Sequence, residues 1–119
     1  MITTVAQMIT QYVESWNGAG LSEFKAGFAQ CWDENAMYTD PDFERISGVN
    51  ELAELAQKSL ELYPGRIFHI LAMPDHHHNV GRYAWMVDLP GETREGFDYF
   101  EFNEAFKITR IVSFFGPLK

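Results

Sequence analysis

The hydrophobic period of this chain changes once, near Pro64-Gly65, and that change constrains the fold more than any other feature. Upstream, apolar residues recur at steps of three and four; downstream they alternate. Val5, Met8, Ile9, Tyr12, Val13 and Trp16 fall on one helical face, closed by Asn17-Gly18. A second helix is expected from Leu21 to Trp32, with Leu21, Phe24, Phe28, Cys31 and Trp32 on one side, followed by a short strand from Ala36 to Thr39. The segment "SGVNELAELAQKSLELYPG" reads as a third helix presenting Leu52, Leu55, Ala56, Ser59, Leu60 and Tyr63. Four strands follow, Ile67 to Met73, Asn79 to Leu89, Glu95 to Asn103 and Phe106 to Phe115, separated by "PDHHH", "PGET" and "NEA". Helices first and consecutive strands afterwards imply an α+β domain, an antiparallel sheet covered on one face by helices. With 119 residues the chain is long enough for one core, so a single domain over 1–119 is expected.

Ten Phe, five Tyr and three Trp supply the lining of a core or pocket. The net charge of −8, with no run of Lys or Arg to neutralise phosphates, argues against nucleic acid or an anionic membrane as partner and favours uncharged or cationic small ligands. The single Cys31 excludes an intrachain disulfide and reads as core filler. The opening "MITTVAQMITQ" has neither a basic start nor a continuous apolar block, and no segment reaches the ~20 apolar residues that span a bilayer, so a cytoplasmic protein is expected.

Three polar residues stand out against this apolar background. In "AMYTDPDFE", Asp40 precedes Pro41 at a strand end, where the backbone is extended or turning; it either shapes the turn or presents a carboxylate to a cavity rim. Tyr12 sits mid-stripe in the first helix, and a buried phenol needs a polar spot or cavity for its hydroxyl. In "EGFDYFEFN", period two places Gly96, Asp98, Phe100 and Phe102 on one face and Phe97, Tyr99, Glu101 and Asn103 on the other. A carboxylate between phenylalanines must be paired, hydrogen-bonded or protonated with a raised pKa. Two acids in unlike environments are what separates a base from a proton donor.

The stretches "QYVESWNGAG", "AMYTDPDFERISG", "GFDYFEFN" and "KITRIVSFFG", in this order over nearly the whole chain, resemble the nuclear transport factor two-like superfamily, which includes ketosteroid isomerases, SnoaL-like polyketide cyclases, scytalone dehydratase and limonene-epoxide hydrolase. The resemblance implies a cone-shaped fold, a strongly bent antiparallel sheet wrapped around three N-terminal helices and enclosing a pocket. Within it, the ketosteroid isomerase pattern carries over to Tyr12 as an oxyanion donor, Asp40 as general base and Asp98 as a protonated donor. The activity so implied is cofactor-independent proton transfer next to a carbonyl, in an isomerase or cyclase acting on a small hydrophobic or carbonyl-containing ligand. Trp16, Tyr38, His69, Arg82, Trp85, Phe100 and Phe115 are the expected substrate-contacting residues. The stretch "IFHILAMPDHHHNVGRYAWM" looks closer to SnoaL-like proteins with a His-rich loop followed by an Arg and a Trp.

Alternatives remain open at this stage. Arg82 and Trp85 have opposite parity unless a bulge intervenes; Arg82 beside Asp98 would keep that acid ionised and suit the hydrolysis or hydration of limonene-epoxide hydrolase-like sites. A pocket kept for binding alone is the other class. His76 and His78 would share a face, but no third ligand accompanies them at suitable spacing, so no metal is expected. Phe97 and Tyr99 on the outer sheet face point to a homodimer through that face.

Overall fold

The computed structural model describes residues 1–116. In chain order its elements are α1 (Val5–Ser15), α2 (Leu21–Ala29), β1 (Trp32–Thr39), β2 (Ile46–Ser47), α3 (Gly48–Leu62), β3 (Ile67–His77), β4 (Val80–Leu89), β5 (Glu92–Phe102) and β6 (Ile108–Phe115). Helix α1 begins where the Thr4 hydroxyl accepts the Gln7 N–H at 3.1 Å, an N-cap that satisfies an otherwise unpaired donor. Its stripe of Val5, Met8, Ile9, Tyr12 and Val13 is buried as the period predicts. Helix α2 crosses α1 closely at Gly27, where a Cβ would stand 2.6 Å from the Ser15 hydroxyl oxygen.

The six strands form one unclosed sheet in the order β2-β1-β6-β5-β4-β3. From β3 to β6 the strands form an antiparallel meander, while β1 pairs with β6 in parallel, making the sheet mixed rather than wholly antiparallel. No hairpin joins β1 to β6, because α3 and four strands intervene, so no turn sets their relative direction. Register shifts interrupt the β3–β4 pairing between Ile70 and Ala72 and again between Ala72 and Asp75, and the β1–β6 pairing between Trp32 and Met37. Such bulges bend strands and curl a sheet. The fold is thus the expected α+β arrangement of three helices against a sheet.

Several boundaries differ from the periodic reading. Helix α2 ends at Ala29, since the N–H groups of Gln30 and Cys31 bond the Gly27 and Phe28 carbonyls and the Cys31 carbonyl is then taken by the Ile108 N–H at 2.7 Å. Trp32 therefore opens β1 instead of closing a helix. Strand β3 continues through "PDHH" to a tight turn at His78-Asn79, both at positive φ, 51° and 63°. Phe106 also has positive φ, 56°, so β6 starts at Ile108.

The core lies between the helices and the inner sheet face, where Met8, Ile9, Phe24, Phe28, Leu52, Phe100, Ile108 and Ile111 are fully buried. The far end of α1 is tied to the edge strand β3. Asn17 donates to the Phe68 carbonyl at 3.0 Å and accepts the Phe68 N–H at 2.8 Å, mimicking a ladder pair on an otherwise open edge. Among the described residues no helix is long and apolar enough to cross a membrane.

Candidate functional site

A cavity of about 680 Å³ opens between α1, α3 and the inner sheet face. Tyr12, Trp16, Tyr38, Tyr83, Trp85, Asp98 and Ser113 form its buried part, and the more exposed Phe43, Leu62, Tyr63 and Phe115 surround it towards solvent. The aromatic composition noted in the sequence is thus concentrated around one space.

Asp98 is the polar centre of that space, and the strand register explains why. On β4 its cross-strand partner is Tyr83; on β6 it is Ser113. The Tyr83 hydroxyl donates to Asp98 Oδ2, and the Trp85 indole N–H donates to Oδ1 at 2.9 Å. Trp85 pairs directly with Gly96, whose missing side chain leaves room for the indole: a Cβ there would stand 2.4 Å from the Trp85 ring and 2.3 Å from the Phe114 carbonyl oxygen. Burial raises the Asp98 carboxyl from 3.8 to about 6, against the opposing pull of hydrogen bonds from Ser113, Tyr83 and Trp85; the charge of Asp40 adds a smaller upward push. The upward direction is the one the resemblance implied for Asp98, while Tyr83 and Trp85 donate to both of its oxygens.

Asp40 combines the two roles the sequence left open. Its Oδ1 accepts the backbone N–H groups of Asp42 (2.8 Å) and Phe43 (2.9 Å), which makes it the turn residue, while Oδ2 accepts the Tyr38 hydroxyl at 2.8 Å on the cavity wall. Tyr12 stacks on Trp32, with ring centroids 5.7 Å apart, and meets Trp16 edge-on at 6.4 Å. Burial first, and the Asp98 charge second, raise its phenol well above the usual range, while a hydrogen bond with Trp16 pulls the other way. Tyr38 and Tyr83 are raised in the same direction, each chiefly by burial and then by neighbouring groups that include Asp98. Three protonated phenols, Tyr12 among them, therefore share this space with Asp98 and Asp40, and Asp42 and Glu95 add two further carboxyl groups to the cavity lining.

The other expected contacts divide by strand parity. Trp16, Tyr38, Trp85 and Phe115 line the cavity, and Phe100 is fully buried against Tyr83, ring centroids 6.1 Å apart. His69 and Arg82 are exposed on the opposite sheet face: His69 Nε2 meets Asp88 Oδ2 at 2.8 Å, and Arg82 bridges to Asp75 at 3.1 Å. With Tyr83, Trp85 and Val87 inward on β4, Arg82 must point outward, so it does not stand beside Asp98 and the arginine-assisted arrangement is not assembled. Tyr83, Ser113 and Arg66 escaped the sequence reading. Tyr83 shares parity with Trp85, and Ser113 with Ile111 and Phe115, so the signal for both was alternation once one inward residue was fixed; Arg66 follows a stop signal and had none. Among the described residues no three His, Cys, Asp or Glu side chains are grouped to hold a metal ion; His77 and His78 meet at 2.9 Å through their Nδ1 atoms in the β3–β4 hairpin.

No protein-family model and no curated protein matches this sequence. Solved structures do. A SnoaL-like family protein from Agrobacterium tumefaciens superposes with a TM-score of 0.85 at 24% identity, over 97% of this chain and 100% of that one. A cystatin-like-fold protein of unknown function from Methylobium petroleophilum gives 0.77 at 17% identity, over 97% and 77%. A protein with a ketosteroid isomerase-like fold from Catenulispora acidiphila, in complex with trimethylamine, gives 0.77 at 9% identity, over 95% and 88%. The chain therefore has the fold that these SnoaL-like, NTF2-like and ketosteroid isomerase-like structures share.

Proposed function

We propose that the cavity binds a small, largely apolar carbonyl compound and that Asp98 moves a proton at the carbon next to its carbonyl, giving a cofactor-independent isomerase or cyclase. The observation that carries this reading is a carboxyl raised to about 6 in the wall of an aromatic cavity, since a base works best near the operating pH. The Asp98 carboxylate takes the proton from the carbon next to the carbonyl and returns it at the far carbon of the double bond, which regenerates the carboxylate. The Tyr12 hydroxyl donates to the oxygen that becomes an enolate, in surroundings dry enough to make that hydrogen bond count. Asp40 fixes Tyr38 and the β1 turn. The experiment is an isomerisation assay on β,γ-unsaturated ketones: Asp98→Asn should lower kcat by about 10²–10⁴-fold. Wild-type protein that isomerises none of them overturns the catalytic reading.

One observation favours a second reading, retention of a ligand without turnover. Both oxygens of Asp98 and both of Asp40 already accept hydrogen bonds. Binding of a phenol without any isomerase activity would select it.

The outer sheet face supports a second copy of this chain as partner. Phe97 and Phe114 stack there at 4.9 Å, and Phe114 is exposed.

A further inference from the structure

Arg66 follows α3 and is only 4% exposed, yet its side chain forms part of the cavity wall. Its three hydrogen bonds all go to neutral acceptors: Nε to the Ser59 hydroxyl at 2.7 Å, Nη1 to the Trp16 carbonyl at 2.7 Å, and Nη2 to the Ala56 carbonyl at 3.0 Å. A guanidinium has five N–H groups, so one on Nη1 and one on Nη2 remain, and a carboxylate takes two. The ion pairs among the described residues join His69 to Asp88, Arg82 to Asp75 and Arg94 to Glu92; none involves Arg66. Burial lowers its pKa only to about 10, so the cation persists at neutral pH. A buried charge without a counter-charge is costly, and the two acids nearest the cavity centre are engaged elsewhere, Asp98 by Tyr83 and Trp85 and Asp40 by Tyr38.

The cavity rim carries charges of both signs: Lys58, on α3 next to Ser59, and Arg94, on β5, line it together with Asp42 and Glu95. Arg94 is paired with Glu92, so the cation that matters here is Arg66 itself. The Arg66 guanidinium lies 5.0 Å from the Phe68 ring centre, and the Phe68 ring packs on Trp85 at 6.0 Å, whose indole N–H holds Asp98. Cation and carboxylate are thus separated by about two aromatic rings.

We infer that the ligand carries a carboxylate, bound by Arg66 at one end of the cavity while its reacting carbonyl lies at Tyr12 and Asp98; the substrate class is a ring-bearing keto acid. This rests on the proposed reading of the cavity for the second half of the statement. The overall charge of −8 favours neutral or cationic ligands, but a buried guanidinium at contact distance outweighs a screened surface field.

The test is calorimetric titration of the full chain with three probes: 2-naphthylacetate, its uncharged shape-mate 2-naphthylacetamide, and 2-naphthol for the Tyr12–Asp98 end. The carboxylate should bind at least ~10-fold tighter than the amide, and Arg66→Gln should abolish that preference. An amide that binds equally well, or a preference that survives in Arg66→Gln, overturns the inference. The matched pair on wild-type protein decides the question even where Arg66→Gln fails to fold. Binding of 2-naphthol without any preference for the carboxylate removes this inference alone; absence of binding by all three removes the proposed function with it.

Discussion

Asp98 is the residue on which the proposed chemistry of the cavity depends. Its type and its inward parity were legible in "GFDYF", because alternation fixes the face of a strand residue. Its donors were not legible, because they come from neighbouring strands and depend on register: Tyr83 on one side, Ser113 on the other, and Trp85 reaching across Gly96. That register decides the protonation state, since three donors hold down a pKa that burial alone would push further up. A raised carboxyl stabilises the folded state in its protonated form. That contribution is complete below the unfolded value of about 4 and is lost as pH rises through about 6. The difference in unfolding free energy between wild type and Asp98→Asn, from urea titrations, should fall by about 2 kcal/mol between about pH 4 and pH 7.5. An identical pH dependence in both proteins would show that Asp98 does not titrate in this window. Asp40→Asn should reduce turnover less than Asp98→Asn does, because Asp40 is spent on its turn and on Tyr38; steady-state kinetics on one ketone compares them, and an equal or larger loss would return the base to Asp40.

Elements were more legible than their ends. The stripe of α1 and the alternation of β4 and β5 both appear where the period places them. Helix α2 was overextended because Cys31 and Trp32 continue an apolar helical spacing, while the competing pull, the Ile108 N–H on the Cys31 carbonyl, lies 77 residues away and leaves no local trace. Arg66 is similar in part: two of its acceptors, Ser59 and Ala56, sit on α3, but the third is the carbonyl of Trp16 just beyond α1, 50 residues away. Within β5, Gly96 is the position where element and site meet. Gly96→Ala would force a methyl group into the Trp85 ring and the Phe114 carbonyl, and overpacking of this kind costs about 1–3 kcal/mol. Urea denaturation should show that loss together with a changed tryptophan emission, since the indole must leave Asp98; unchanged stability and emission would mean that the sheet absorbs the methyl elsewhere.

For the whole molecule, three helices against a bent, unclosed sheet leave one sheet face for the cavity and the other for water or a partner. With Phe114 stacked on Phe97 and exposed on that outer face, a second copy of the chain is the proposed cover. Light scattering at micromolar concentration should give about twice the 13.7 kDa of one chain, and a mass near one chain would exclude this interface. On the inner face, Asp98 is proposed to move a proton at a carbon next to a carbonyl. Exchange of that carbon-bound hydrogen with deuterated water, followed by NMR on a cyclic ketone, tests it most directly because no complete turnover is needed. Wild-type protein should catalyse exchange at a rate that rises with pH through about 6, and Asp98→Asn should slow it by at least ~10²-fold. Exchange no faster than in buffer, or equally fast in the variant, would contradict it.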